Sequence, residues 1–259
     1  MARYIIYGAG GIGGAIGASL HQHGREVVLI ARGEHLRKMR ADGLHLRRPS
    51  GDARVLVNAV DGPAAIEYRG DEVVMFCMKS QDTAPALLAL REAAGSEVPV
   101  VMCQNGVANE RMAARLFRNV YAMLVYMPTT HLEPGVVRAE SKTAIGVLDC
   151  GVYPTGVDDR IKEVCRDLRS AEFSATPDPK VMELKYGKLL VNLGNALEAL
   201  CGLGSDTKDI GKALRDEAAR CFAAAGIRYV DVEGLRARHK GVVETGEIPG
   251  AARGGGSSW

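Results

Sequence analysis

Aromatic residues are scarce, at 5% of the 259 residues, with four Phe and one Trp. Neither sign of charge is in excess. The 33 Lys+Arg and 31 Asp+Glu leave a formal +2, too little for the broad basic field that draws nucleic acid or an anionic membrane surface. Cys77, Cys103, Cys150, Cys165, Cys201 and Cys221 never form a C-x-x-C pair, so they read as reduced thiols and not as a disulfide frame or a metal cage. His21 and His23 lie two apart, the wrong spacing for one helix face, and no cysteine accompanies them, so no metal is expected. Long hydrophobic runs are missing too. The apolar run at residues 4–7 is too short for a signal peptide, and no stretch reaches the roughly 18 apolar residues of a membrane span. These absences point to a soluble, cytoplasmic protein with neither nucleic acid nor membrane as partner. What is abundant is glycine, 31 residues, in a chain whose 47% hydrophobic and 25% charged content is that of a folded protein of one large or two modest domains.

The first half alternates short apolar runs with helix-length stretches. Residues 4–7, 27–30, 73–78 and 98–103 are largely β-branched or aliphatic, as in strands covered on both faces. Between them, 12–23, 34–42 and 83–94 are long enough for crossover helices, so the pattern predicts a parallel sheet with right-handed connections. Residues 44–48 and 53–58 flank Pro49-Ser50-Gly51-Asp52 and read as a hairpin. Residues 119–128, 136–139 and 143–148 read as later strands. The character changes at Thr176-Pro177-Asp178-Pro179, where two prolines end what precedes and can seed a helix. Residues 180–200 then read as one long helix, with others from 205 or 206 to 225 and from 230 to 239. Beyond Lys240 the glycines crowd in and regular structure is not expected. The fold class expected is therefore α/β: a nucleotide-binding domain over 1–177, then an all-helical domain over 178–259.

Gly8-Ala9-Gly10-Gly11-Ile12-Gly13 fits G-x-G-x-x-G where its mechanism requires it, after a strand and opening a helix. Gly8 permits the tight turn, Gly10 lets the backbone approach a pyrophosphate, and Gly13 allows close helix–strand packing, while free N–H groups at the helix start face the phosphates. The bland alternative is a Gly-rich turn packed on the sheet. An NAD or FAD site usually places an acidic residue at the end of the second strand, for the ribose 2′-hydroxyl. Here that point is held by Arg32, which suits a 2′-phosphate and predicts NADP; Glu34 reaching round would favour NAD, and a solvated Arg32 would favour neither.

The helix over 180–200 carries the second signal. Lys188, Asn192 and Asn195 fall at i, i+4 and i+7 on one face, with leucines opposite. A lysine among neutral amides in a cleft can give a proton or hydrogen bond to a carbonyl oxygen as hydride arrives at carbon, and desolvation would lower its pKa. A solvated helix face is the competing reading. Lys79 and Asn105 each follow a buried strand, where ligands of open α/β sheets bind; a strand-end lysine and a plain Asn-Gly turn are the alternatives. His131, near Thr129-Thr130, is another candidate for a place beside a nicotinamide, or else a packed histidine.

Taken in order, Gly8–Gly13, Met78-Lys79, Gln104-Asn105-Gly106-Val107 and Lys188-Leu189-Leu190-Val191-Asn192 resemble the ketopantoate reductase (2-dehydropantoate 2-reductase) family. The resemblance implies a Rossmann-type NADPH domain, a helical C-terminal domain, and ketopantoate reduced to pantoate in the cleft between them. It implies Lys188 as proton donor, Asn192 as substrate ligand, Asn105 bridging cofactor and substrate, Lys79 lining the cofactor site with Gly8, Ala9, Gly10, Gly11, Ile12 and Gly13, and Arg32 on the 2′-phosphate. The partners expected are a small keto acid and, as an option, a second copy joined through the helical domain.

Two features depart from the family pattern. Asn195 follows Asn192 by three residues where the family has four and then a proline; here Ala196 stands in that place. Ser257-Ser258-Trp259 matches the opening of the family's last helices, which makes Ser258 a substrate candidate. The glutamate expected about three helical turns further on has no counterpart, so the helical domain reads as incomplete. The alternatives are a related dehydrogenase of another keto acid or imine, and a non-catalytic NADP(H)-binding module.

Overall fold

In the computed structural model, residues 2–202 and 204–250 are described. The chain opens β1 (Arg3–Tyr7), α1 (Gly11–Gln22), β2 (Val27–Ile30), α2 (Gly33–Asp42), β3 (Leu44–Arg48), β4 (Gly51–Val55) and β5 (Asn58–Val60). It continues with β6 (Glu72–Phe76), α3 (Thr83–Ala94), β7 (Val100–Met102), α4 (Asn109–Ala113), β8 (Val120–Tyr126), β9 (Thr129–Thr130), β10 (Val136–Ala139), β11 (Val147–Val152) and α5 (Asp159–Ser170). Last come α6 (Val181–Asn192), α7 (Gly194–Cys201), α8 (Lys208–Ala224) and α9 (Val232–His239).

The main sheet runs β11-β8-β7-β6-β1-β2-β5, all parallel except β11, which pairs antiparallel with β8. Chain order reverses between β1 and β6, which puts a crevice at their carboxyl ends. Strand periodicity sorts the core. Tyr4, Ile6, Val73 and Met75 face the layer holding α1 and α5, while Ile5, Val74 and Phe76 face the layer holding α3 and α4. Burial on both faces is why these strands lack polar alternation. A second sheet, β4-β3-β10-β9, lies on the α1 side.

Several expected boundaries move. The hairpin expected between 44–48 and 53–58 closes earlier: Arg48 pairs with Gly51, whose φ of +133° lets the chain turn back at once. Residues 58–60 leave the hairpin and become the edge strand beside β2. The strand expected at 143–148 instead spans Val147–Val152. Residues 142–144 bond to the chain after Lys240, through Lys142 N to Glu244 O and Ala144 N to Val242 O. That late segment was expected to lack regular structure, and Ser141 bridges its Thr245. Helix α5 went unanticipated, although Ile161, Val164, Cys165 and Leu168 are buried at i, i+3, i+4 and i+7 and Asp158 caps its start by accepting from Ile161 N at 2.8 Å.

The single helix expected over 180–200 is interrupted at Leu193, next to Gly194, one of two glycines in that stretch; the other, Gly187, lies within α6. Its expected leucine face divides there. Leu190 is buried, whereas Leu200 is exposed. α6 packs directly on the main sheet, with Val181 and Met182 against Ala122, and Leu184 with α9's Leu235 against Leu124. No helix among the described residues is long and apolar enough to cross a membrane.

Candidate active site

The Gly-rich turn leaves β1 at the crevice. Gly8 has φ +101°, and a Cβ there would stand 2.7 Å from Met78 N, so both the backbone angle and the neighbouring strand end demand glycine. At Gly13 a Cβ would come within 2.2 Å of Gly8 O and 2.8 Å of Cys77 Cβ, which is how α1 lies so close on the sheet. Gly10 differs: nothing lies within 4 Å of its would-be Cβ. No side chain caps α1 and no acidic residue stands in its first turn, so its opening N–H groups face that space. Across from Gly11 is the Thr129 hydroxyl, 3.2 Å from where a Cβ would be and buried without a hydrogen-bond partner. A glycine cradle, free amides and an unsatisfied hydroxyl fit the pyrophosphate half of a dinucleotide. Ile12 packs into the core behind.

His35 locks the turn to α2 in a way no sequence pattern announced. Its Nδ1 accepts from Gly135 N at 2.8 Å, which leaves Nε2 to donate to Ala9 O at 2.7 Å. Burial holds its pKa below the usual histidine range. His131 lies against His35 with ring centroids 4.1 Å apart and planes tilted by 46°, and bonds Val136 O through Nδ1. Arg32, two residues past β2 and at the N-cap of α2, has its side chain 78% exposed and meets the Asp82 carboxylate at 3.5 Å. Glu34 is paired with Arg37 on the same helix, whose Nε donates to it at 2.8 Å. Lys79 follows β6 on exposed, extended backbone at the same edge.

The second half of the site is made of side chains. Lys188 of α6 donates from Nζ to Asn105 Oδ1 at 2.7 Å and to the Val125 carbonyl at the end of β8. Gln104, Asn105, Lys185, Lys188 and Asn192 line one small cleft against the last residues of β8. Burial of the ammonium, and secondarily the charge of Lys185, bring the Lys188 pKa down from 10.5 to about 7. Asn195 lies beyond the break at Leu193, half-buried and outside that lining. The spacing i, i+7 assumes an unbroken helix; the interruption is what separates it from Lys188 and Asn192. Ser258 lies outside the described residues.

Lys185 and Glu110 form a buried ion pair beneath the cleft, with side chains 3% and 0% exposed. Lys185 Nζ also donates to Gln104 O at 2.9 Å. Neither residue was singled out from sequence. Lys185 sits among Glu183, Tyr186 and Gly187 with no local mark, and only the packing of α6 on β8, which brings its ammonium to Glu110 and Gln104 O, makes it interior.

The arrangement joins a glycine cradle to a lysine–amide cleft at the carboxyl ends of one sheet, in a chain that is similar to known proteins. The family model described as "Ketopantoate reductase PanE/ApbA" matches residues 4–149. A 2-dehydropantoate 2-reductase of Halobacterium salinarum is 34% identical over 206 residues, 76% of this chain and 65% of that protein; the chain thus spans just under two thirds of that relative's length. The crystal structure of a PanE/ApbA family ketopantoate reductase from Ralstonia eutropha superposes with a TM-score of 0.79 at 29% identity, covering 92% of this chain and 79% of that one. A D-mandelate dehydrogenase solved with NADH and anilino(oxo)acetate shares the fold at 20% identity, with a TM-score of 0.77 over 90% of this chain and 78% of that one.

Proposed function

The chain belongs to the ketopantoate reductase PanE/ApbA family, and from that premise we propose that it is a cytoplasmic, NADPH-dependent reductase of a small 2-keto acid, converting ketopantoate to pantoate. The observation that carries this reading is the Lys188 ammonium, hydrogen-bonded to Asn105 at the carboxyl edge of the sheet and holding a proton it can release near neutral pH. The residues that would hold the dinucleotide are Gly8, Ala9, Gly10, Gly11, Ile12 and Gly13 for the pyrophosphate, Arg32 for the 2′-phosphate, and Lys79 and Asn105 further along the crevice. NADPH, when bound, supplies the hydride for the ketone carbon.

The protein's own part is to seat the ketone and to supply the proton. Lys188 points its N–H groups into the cleft and transfers a proton to the carbonyl oxygen as negative charge builds there; a pKa near the working pH suits a general acid. Asn105 fixes the ammonium by accepting one of its hydrogens. Asn192, one turn along α6, offers an amide to the substrate, and Asn195 and Ser258 are further substrate ligands in this reading. Residues 1–177 would then serve the cofactor, and 178–259 the substrate and the pairing of two copies.

The direct test is NADPH oxidation by the purified chain with ketopantoate, followed by absorbance. The expected result is turnover with ketopantoate above other 2-keto acids. Tight NADPH binding without turnover on any keto acid would replace the reading with a non-catalytic NADP(H)-binding module. A second reading, reduction of a different 2-keto acid, is favoured by Asn195 lying outside the cleft that Lys188 and Asn192 line. Preference for another member of the same keto-acid panel would select it.

A further inference from the structure

Buried charge is rare, and burying a lysine demands a partner and satisfied hydrogens. Lys185 has both. Its ammonium meets the Glu110 carboxylate and donates to Gln104 O at 2.9 Å, with Met102 O at 3.5 Å. Those two carbonyls belong to the chain leaving β7, immediately before Asn105. The same turn is tied from its other side, where Gln104 Nε2 donates to Thr83 Oγ1 at 3.1 Å and Asn109 Nδ2 donates to Ser80 Oγ at 3.0 Å. Lys185 stands three residues before Lys188 on α6, so the two ammonium groups leave the same helix face. One reaches the backbone of the turn and the other its Asn105 side chain.

We propose that the buried Lys185–Glu110 pair is the positioning device of this site, clamping the turn after β7 to α6 so that Asn105 meets Lys188. The inference rests on the reading of Lys188 as proton donor. It gives Lys185 two effects, a geometric one through Gln104 and an electrostatic one through a fixed positive charge one helical turn from Lys188. The charged and titratable groups around Lys188 are few. Lys185 comes from α6, Glu110 from α4, and His239 and Arg238 from α9; Tyr126 is the titratable side chain at the end of β8. Arg238 is neutralised by Asp149 at 2.6 Å and Asp178 at 2.8 Å, and burial lowers the pKa of His239. Lys185, itself paired with Glu110, stands one turn from Lys188 on the same helix face, and its charge adds to burial in lowering the proton affinity of Lys188.

The test removes both charges at once, with Lys185→Met/Glu110→Gln, because deleting one partner would strand the other. Lys185→Arg/Glu110→Asp keeps the charges in nearly the same volume. The neutral pair is expected to fold and to lose ~10-fold or more in turnover through a misplaced Asn105, with a smaller loss of NADPH affinity because the glycine turn is untouched. Its alkaline limb of kcat/KM should move to higher pH, while the charge-keeping pair leaves that limb where it was. A fall in turnover with an unmoved limb, or no change in either, would overturn the proposal. Trace acetylation of Lys188 against pH, read by mass spectrometry, reports the same titration without catalysis. It separates failure of this proposal from failure of the reductase reading, since Lys188 should titrate higher in the neutral pair even if no keto acid is turned over. In the unaltered protein Lys185 should resist acetylation where Lys188 reacts; equal reactivity would overturn the proposal without any variant.

Discussion

The phosphate cradle after β1 and the lysine cleft between α6 and β8 share one sheet edge, yet they are made of different material. The cradle is backbone. Gly8 and Gly13 are glycine because a Cβ would strike Met78 N or Gly8 O, and Gly10 is glycine beside open space. The cleft is side chain. Lys188, Asn105, Lys185 and Glu110 come from three separate segments and acquire their properties from one another. A site made of backbone tolerates no added atom but is indifferent to pH. A site made of buried charges tolerates conservative changes of shape, while its chemistry shifts with every neighbouring charge.

The sharpest way to break this contrast is within the cradle itself. Gly13→Ala drives a Cβ into Gly8 O and the Cys77 side chain, and should cost about 2–3 kcal/mol of stability and abolish NADPH binding, checked by thermal melting and cofactor fluorescence. Gly10→Ala meets no protein atom, so its melting temperature should stay near the parent's while NADPH affinity drops. Equal destabilisation by both would contradict the division between a packing glycine and a ligand-facing one.

On the cleft side, Lys188→Ala should leave NADPH binding intact and lower turnover by ~100-fold or more, the usual scale for loss of a general acid. Parent-like turnover would remove the role. The pH profile sharpens the comparison further. As the proposed proton donor Lys188 would have to be protonated, and its pKa is brought down to about 7, so kcat/KM should fall as pH rises through that value, with no such limb in cofactor binding. Stability runs the opposite way. A depressed lysine pKa lets the unfolded chain hold the extra proton, so the stability that the neutral amine contributes is present above pH 10.5 and lost as pH falls toward 7. Lys188→Met should therefore melt at a higher temperature than the parent below pH 7. The smallest effect is expected at Arg32, which is largely exposed. Arg32→Ala should raise the NADPH constant by roughly 10-fold with little change for NADH, as loss of one exposed charged contact implies; equal effects on both would cancel the 2′-phosphate argument.

Local chemistry was the legible part. The strands announced themselves because each is apolar on both faces, and Gly8–Gly13 because turn, approach and packing impose their glycines within six consecutive residues. Helix α5 was legible and overlooked, its four buried residues at helical spacing lying among Arg, Lys, Asp and Glu. Asn195 shows the limit of spacing arguments. A periodicity that presumes a continuous helix cannot foresee the interruption at Leu193, which depends on how α6 and α7 settle against their neighbours. His35 and Thr129 carried no signal at all. They matter because α2 and β9 bring them to the glycine turn.

By itself the sequence determined the α/β order, the place of the glycine turn after β1 and the lysine-bearing helix, because each follows from residues close together in the chain. Only the tertiary structure decided which of the two lysines lining the cleft is locked to a buried carboxylate and which meets Asn105. Lys185 and Lys188 are the same residue three positions apart. One is paired with a carboxylate from α4 and the other with a neutral amide and a carbonyl from β8. The proton affinity of Lys188 is set first by burial and then by Lys185 one turn back on the same helix, and the groups that enclose it come from segments up to some eighty residues away in the chain.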